Sequence, residues 1–209
     1  MTAYSKIGDL PQTFPLFPLE GAILFPRGTL PLNIFEPRYL NMVDDALAGE
    51  RLIGMIQPAD AQQSLSRVGT IGRITTFAET EDGRYLVTLS GICRYRVTQE
   101  LNAPTPYRQA IVSYDDFASD LQPIAPRFDR DRLNRALRRY VDLRGYQVNW
   151  DAVDQTTPEA LVNLAAVLCP FDAMAKQALL EAPSVDERCD ALIALLDWGD
   201  ASSAPGAVQ

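Results

Sequence analysis

Side chains that could perform catalysis are few in this 209-residue sequence, which contains no histidine. A serine or cysteine nucleophile therefore has no imidazole base, and a histidine-ligated metal site is excluded. Serine–lysine catalysis would need Lys6 or Lys176, but the first lies near the start of the chain and the second in a helical pattern that packing explains. The sequence also contains no GxxxxGK[ST] phosphate-binding loop. None of these catalytic classes is predicted.

Carboxylates are the remaining acid–base groups, and they occur as adjacent pairs at Asp44–Asp45, Glu81–Asp82 and Asp115–Asp116. Neighbours in sequence point to different sides of a helix or strand. The second and third pairs lie at expected turns or strand ends, where acidic residues are commonly solvated. We therefore expect the chain not to be an enzyme, and a hydrolase of unrecognised type stays open as an alternative.

Cysteine content and charge limit the kinds of partner. Cys93, Cys169 and Cys189 are too few and too scattered for a disulfide framework or a metal site, so we expect small buried side chains, no metal and no cofactor. The formal net charge of −8 predicts repulsion from nucleic acids and anionic lipid surfaces. Because the sequence shows neither a membrane-length apolar run nor a signal at its start, we expect a soluble cytoplasmic protein.

Residues 14–47 are the most distinctive part of the sequence, reading FPLFPLEGAILFPRGTLPLNIFEPRYLNMVDDAL. Proline has no amide hydrogen, so it fits best at a strand start, a sheet edge or a turn. The proline spacing predicts two short strands, Phe14–Leu19 and Thr29–Ile34, with a turn at Phe25–Gly28 between them. A helix is then predicted to begin at Glu36-Pro37, because proline suits the first helical position, and to end near Gly49.

Four more strands are predicted before residue 118, at Arg51–Gln57, Thr70–Glu79, Arg84–Thr98 and Tyr107–Asp115. Nonpolar and polar residues alternate along the third of these, which predicts one buried face. Gly91 within it predicts a bend or bulge. Asp82-Gly83 predicts a two-residue hairpin turn, which would place Ile74 opposite Gly91.

The second half of the sequence has helical periodicity. Four helices are predicted: Asp129–Arg144, Thr157 to about Leu168, Asp172 to about Ala182, and Ser184 to about Trp198. We therefore expect a β-rich domain over residues 1–117, a linker over 118–128, a helical subdomain over 129–200 and a disordered tail over 201–209.

Several motifs resemble the amino-terminal, substrate-recognition domain of the Lon proteases and its free-standing bacterial relatives. In order and spacing they are Phe17-Pro18-Leu19, Leu24-Phe25-Pro26, Leu30-Pro31-Leu32, Ile34-Phe35-Glu36-Pro37-Arg38-Tyr39, Val68-Gly69-Thr70, Asp82-Gly83-Arg84-Tyr85, Ser90-Gly91-Ile92-Cys93-Arg94-Tyr95 and Lys176-Gln177-Ala178-Leu179-Leu180-Glu181. The resemblance covers most of residues 14–198. It implies an α+β fold in which a mostly antiparallel, six-stranded twisted pseudo-barrel (PUA-like) with a short helix precedes a carboxy-terminal helical bundle.

The same resemblance implies recognition without catalysis. Lon enzymes carry their ATPase and peptidase in later domains, and this sequence ends before either. The implied partners are unfolded or client polypeptides, or a protein partner such as a protease. A small-ligand-binding module in a Lon-like barrel is a second alternative, and the oligomeric state is left open.

Two groups of residues are candidates for binding. Phe35, Glu36, Pro37, Arg38 and Tyr39 could rim an apolar groove that receives a client segment, with Phe35 and Tyr39 as contact surface. The same cluster is also explained as a helix start, in which Glu36 favours the positive end of the helix dipole and Arg38 pairs with a carboxylate.

The second group lies on one face of the helix predicted over Asp129–Arg144 and consists of Arg132, Arg135, Arg138 and Arg139. This pattern is typical of a solvated helix face, with Asp131 and Asp142 nearby. The alternative is a landing site for an acidic partner.

Overall fold

The structure, a computed structural model, describes residues 4–60, 64–123 and 125–201. The chain divides into two compact units, Met1–Ile124 and Ala125–Gln209. Of the tail expected to be disordered, Ala201 is the last residue of a helix and residues 202–209 lie outside the described residues.

A six-stranded sheet forms the first unit. Its strands are β1 Thr13–Pro18, β2 Thr29–Ile34, β3 Leu52–Ile56, β4 Val68–Glu79, β5 Tyr85–Leu101 and β6 Arg108–Ser113. The strand order is β2-β5-β4-β3-β1-β6, and the far end of the long β5 also pairs with β6. Every pairing is antiparallel except that of β1 with β3. The expected twisted, mostly antiparallel pseudo-barrel is confirmed.

One helix, α1 Pro37–Ala48, packs on this sheet. It buries Tyr39, Met42 and Val43 in an apolar cluster that also contains Phe17 and Ile74. Pro37 occupies the first turn, and Gly49 caps the other end by donating its amide to the carbonyl groups of the last turn. The sequence prediction of this helix is confirmed at both ends.

Gly91 lets the chain preceding β2 approach β5 closely. The amide of Arg27 donates to the Gly91 carbonyl at 2.8 Å, and the Gly91 amide donates to the Gly28 carbonyl at 2.9 Å. A Cβ atom at position 91 would lie 2.1 Å from the carbonyl oxygen of Phe25. The β4–β5 register shifts beside Gly91, with Ile92 as the extra residue of the bulge, which confirms the irregularity expected there.

The turn between β4 and β5 differs from the prediction. Glu79 pairs with Tyr85, and the Gly83 amide donates to the Thr80 carbonyl at 2.9 Å. Gly83 has a φ of +79°, so the loop is a turn followed by a left-handed glycine and is longer than two residues. This turn and a second register shift, between Ile74 and Thr76, together make Ile74 pair with Leu89 and not with Gly91.

A second difference concerns Arg94, which the alternation of β5 placed on the polar face. Its side chain is 2% exposed and pairs with the buried carboxylate of Asp120. Asp120 belongs to the 3₁₀ helix Asp115–Leu121, which occupies the start of the segment expected to be a linker. Phe117 in the same helix is also buried, as part of an apolar cluster of the first unit, and the Arg94 guanidinium lies 4.6 Å from its ring centroid.

The second unit contains five helices within its described residues: α2 Arg130–Arg144, α3 Trp150–Gln155, α4 Pro158–Leu168, α5 Ala173–Glu181 and α6 Val185–Ala201. The short α3 was not predicted, because six residues carry too little apolar periodicity. Its start is fixed by the Asn149 side chain, which accepts a hydrogen bond from the Ala152 amide at 3.2 Å. Leu133 of α2 and Leu192 of α6 are fully buried in this unit.

Throughout the residues that the structure describes, we find no helix with the length and apolar character needed to cross a membrane.

Candidate functional site

A groove of about 430 Å³ opens between the end of β1, the strand β2 and the start of α1. We call it the β2–α1 groove. Its lining residues are Phe17, Pro18, Leu19, Glu20, Pro31, Leu32, Asn33, Ile34, Phe35, Glu36, Arg38, Tyr39 and Pro58. Most of these side chains are apolar, so the groove is suited to apolar side chains of a partner.

Phe35 is the most exposed aromatic residue of the first unit, with 63% of its surface accessible. Strand β2 ends at Ile34 and helix α1 begins at Pro37, so only two residues connect them. Ile34 is buried, which leaves Phe35 on the solvent side of this short connection. An exposed phenylalanine at the rim of an apolar groove is available for contact with another chain.

Tyr39 forms the floor of the groove. Its ring centroid lies 4.4 Å from that of Phe17, and the Arg38 guanidinium stacks 4.5 Å from the Tyr39 centroid. Burial raises the pKa of Tyr39, opposed by the positive charge of Arg38. The side chain is only 6% exposed, so Tyr39 shapes the groove and offers less contact surface than expected.

Glu36 and Arg38 form an ion pair at the rim. The Nε and Nη2 atoms of Arg38 donate to Oε2 of Glu36 at 3.0 and 2.8 Å. Glu36 stands at the N-cap position of α1 but makes no side-chain cap, because its carboxylate faces Arg38. Pro37 fixes the helix start and does not line the groove. The structure thus brings four of the five residues predicted here to one groove.

The walls contributed by β1 and β2 were not predicted as part of the site. Phe17 and Leu32 read in the sequence as ordinary strand residues, and their partners could not be assigned without the sheet order. Pro31 carried the one available signal, since a proline within a strand favours a sheet edge. β2 is indeed at the edge of the sheet, with β5 as its neighbour.

A second cavity, of about 410 Å³, lies against the same strand. We call it the β2 outer cavity. It shares Pro31, Leu32 and Asn33 with the β2–α1 groove and adds Phe77 and Leu86 from the β4–β5 hairpin. Leu86 is 46% exposed, so apolar surface is accessible beside β2 at this cavity as well.

The adjacent carboxylates Asp44 and Asp45 each contact a tyrosine. The Tyr107 hydroxyl donates to Oδ2 of Asp45 at 2.6 Å. Burial, together with this bond to Asp45, raises the pKa of Tyr107 to about 12. A hydrogen bond to Asp44 likewise raises the pKa of Tyr85. These contacts hold α1 to Tyr85 of β5 and to Tyr107, which directly precedes β6, and this gives both carboxylates a structural role.

The other reactive groups also have local roles. Burial raises the pKa of Cys93 and Cys189 to about 12 and that of Cys169 to about 11, so the three thiols stay protonated near neutrality. The Lys176 ammonium donates to the Val167 carbonyl at 3.1 Å. Over the described ranges, no three acidic or cysteine side chains cluster in a way that could hold a metal ion.

The arginines of α2 have partners within the second unit. Arg132 pairs with Asp190 and Arg139 with Asp197. Arg135 lies 3.7 Å from Asp129, and the Arg138 guanidinium stacks 4.1 Å from the centroid of a Trp150 ring. None of these partners is Asp131 or Asp142, the acidic residues nearby in the sequence. Whether this face also receives an acidic partner stays a prediction.

Comparison with known proteins assigns the family. Residues 13–197 match the family described as the ATP-dependent protease La (LON) substrate-binding domain. The chain belongs to this family. The match spans both units, so the sequence resemblance is confirmed over the helical half as well.

Curated relatives are Lon proteases of bacteria. Lon protease 2 of Myxococcus xanthus is 25% identical over 198 residues, which are 90% of this chain and 24% of that protein. The Lon protease of Desulfosudis oleivorans is 32% identical over 108 residues, which are 48% of this chain and 13% of that protein. The chain spans about a quarter or less of the length of these relatives.

Solved structures support the fold. A Lon N-terminal domain protein from Xanthomonas campestris matches with a TM-score of 0.64 at 24% identity, covering 87% of this chain and 97% of that chain. The N-terminal domain of the Mycobacterium avium complex Lon protease matches with a TM-score of 0.66 at 18% identity, covering 88% of this chain and 98% of that chain. Both confirm the α+β fold.

Proposed function

We propose that this member of the Lon substrate-binding-domain family is a non-catalytic module that binds apolar segments of client polypeptides in the β2–α1 groove. The observation that carries the proposal is Phe35, a phenylalanine 63% exposed at the rim of an apolar groove. Exposed aromatic side chains beside apolar surface are typical anchors of protein–protein contacts.

The chemistry of the first unit supports binding over catalysis. Its groove has apolar walls, and two of its charged residues, Glu36 and Arg38, neutralise each other. The acidic pair at Asp44 and Asp45 is engaged by Tyr85 and Tyr107. A surface of this kind binds apolar side chains and offers no acid–base pair to a substrate.

An adaptor role is the finer form of this proposal. A module that binds unfolded segments can present them to a protease encoded separately, and in this role the protease is a second partner. Co-purification from native cells tests it, because an adaptor is expected to retain a protease together with client segments.

The direct test of client binding uses the full 209-residue chain and an array of overlapping peptides from unfolded α-casein. The strongest peptide is then labelled and titrated by fluorescence anisotropy. Phe35→Ala is expected to weaken its binding by about tenfold or more, as for an interface anchor. Trp198→Ala is the matched control, since Trp198 is a 74% exposed aromatic of the second unit, and it should change Kd by less than about twofold.

Two results would contradict the proposal. A folded chain that binds no peptide above background removes the client-binding function, and a thermal shift with small metabolites but not peptides would then favour the small-ligand alternative. Equal effects of Phe35→Ala and Trp198→Ala would remove the β2–α1 groove as the binding site.

A further inference from the structure

Strand β2 has a free edge. Its neighbour in the sheet is β5, and within the described residues no strand pairs with its other side. Thr29, Pro31 and Asn33 are exposed, while Leu30 and Leu32 are half-buried and Ile34 is buried. An exposed strand edge with unpaired backbone groups can accept another extended chain.

The pairing register of β2 with β5 determines which backbone N–H and C=O groups point to the free edge. The Thr88 carbonyl accepts a hydrogen bond from the side-chain hydroxyl of Thr75 in β4 at 3.1 Å, so the backbone groups of Thr88 point towards β4 and away from β2. Thr88 is the cross-strand neighbour of Pro31. Because the backbone groups of Thr88 point away from β2, those of Pro31 point away from β5, towards the free edge. The same holds for every second residue of β2. The edge consequently presents the N–H groups of Thr29 and Asn33 and the carbonyl groups of Thr29, Pro31 and Asn33.

Apolar space lies on both sides of this edge. The β2–α1 groove lies on the side of the inward residues Leu32 and Ile34. The β2 outer cavity includes Leu86 and Thr88, the cross-strand neighbours of the exposed Asn33 and Pro31. Successive side chains of a strand point to opposite faces, so a strand laid along β2 would place alternate side chains on the two sides.

Charge adds a preference. Glu20 is an exposed carboxylate that lines the groove, and among the described residues it has no ion-pair or hydrogen-bond partner. The charge of Glu36 is matched by Arg38. The charged groups of the groove therefore sum to −1, on a chain whose formal charge is −8. A basic side chain beside the apolar ones would complement Glu20.

We propose that β2 accepts a client segment as an additional β-strand, with alternate apolar side chains in the β2–α1 groove and the β2 outer cavity and a lysine or arginine beside Glu20. The inference rests on the proposed function and adds to it the extended backbone conformation and the chemical class of the segment. The expected occupant has apolar residues in succession and a flanking basic residue.

A backbone variant tests the pairing. Asn33→Pro deletes the edge N–H of residue 33, and proline is tolerated there because Pro31 already occupies the equivalent orientation in the same strand. Asn33→Ala removes the same side chain but keeps the N–H. With the labelled casein peptide as probe, Asn33→Pro is expected to raise Kd by about five- to tenfold and Asn33→Ala by less than about twofold.

Two further measurements do not depend on a variant that folds. Hydrogen exchange of the parent chain is expected to show that the Thr29 and Asn33 amides become protected when the peptide is added. N-methylation along the peptide backbone is expected to weaken binding at every second position, because alternate N–H groups of an added strand face β2. A separate test, which does use a variant, concerns the charge: replacing the lysine or arginine of the peptide by glutamate should weaken binding to the parent but not to the Glu20→Gln variant.

The outcomes separate the two proposals. If Phe35→Ala weakens binding while Asn33→Pro matches Asn33→Ala and the edge amides stay unprotected, strand addition is overturned and the groove remains the client site. If the parent chain binds no peptide, both proposals fail. Protection of the Thr29 and Asn33 amides with alternating N-methyl sensitivity supports strand addition.

Discussion

The side chains of Arg94 and Asp120 form an ion pair that is 2% and 4% exposed, and it joins β5 to the 3₁₀ helix Asp115–Leu121. The Arg94 amide and Nε donate to one carboxylate oxygen at 3.0 and 2.9 Å, and Nη2 donates to the other at 2.9 Å. The carboxylate thus satisfies both backbone and side-chain donors of a residue within the sheet.

Replacing Asp120 by alanine is expected to lower the free energy of unfolding by about 3–5 kcal/mol, because it leaves the Arg94 charge buried without a carboxylate. Urea denaturation measures the change. Asp116→Ala is the control, since Asp116 pairs with Arg96 where both side chains are about half exposed, and it should cost no more than about 1 kcal/mol. Similar costs for the two variants would contradict the structural role of the buried pair.

Gly91→Ala is expected to destabilise the first unit, because the added Cβ would lie 2.1 Å from the Phe25 carbonyl oxygen. That oxygen is a backbone atom, so the segment preceding β2 must shift, at a cost of about 1–3 kcal/mol or more. Thermal unfolding monitors the effect. Gly8→Ala serves as the control, because a Cβ added at Gly8 would meet no atom within 4 Å, and an equal loss in both variants would be inconsistent with this packing.

The bond from Tyr107 to Asp45 predicts a pH dependence of stability. The pKa of Tyr107 is raised from the usual 10.0 to about 12, so above pH 10 the unfolded chain releases this proton before the folded chain does. The hydrogen bond between Tyr107 and Asp45 therefore contributes fully to folding stability below pH 10, and this contribution is lost as the pH rises towards 12. Tyr107→Phe should lower stability by about 1.5–3 kcal/mol at neutral pH. The difference in free energy of unfolding between the parent and Tyr107→Phe, measured by denaturation from about pH 8 to about pH 12, is expected to shrink as the pH rises. A constant difference would exclude this linkage.

The arginine face of α2 is expected to behave as a solvated surface. Arg139→Ala should cost less than about 1 kcal/mol, because its pair with Asp197 is half exposed. Reversing the charge at Arg135, Arg138 and Arg139 together should leave binding of a poly-glutamate peptide at low salt unchanged. A clear loss of that binding would instead assign this face to an acidic partner.

The sequence predicts well those elements that are fixed by local chemistry. The structure has β2 at Thr29–Ile34, as the proline spacing predicts, and α1 begins at Pro37. The starts of α2 and α5 follow the capping residues Asp129 and Asp172, whose carboxylates accept backbone amides. In each case a residue within a few positions determines the boundary, so the pattern carries the information.

Features that depend on distant partners were not predictable in this way. Arg94 and Asp120 are 26 residues apart, and each alone is typical of a solvated position. The residues that line the groove could likewise be assigned only with the sheet order known. Phe17 of β1 and Leu32 of β2 both line it, although the two strands do not pair with each other. Tertiary pairing, and not local preference, positions these residues.

Pro31 also bears on how copies of this chain behave towards one another. The strand edge lacks one donor at its centre, so two identical edges brought together would leave a carbonyl group without its hydrogen bond. Repeated stacking of the protein into fibrils through this strand is therefore disfavoured. A single foreign segment can adjust its register around the gap, whereas a self-templating assembly must repeat the same defect at every layer.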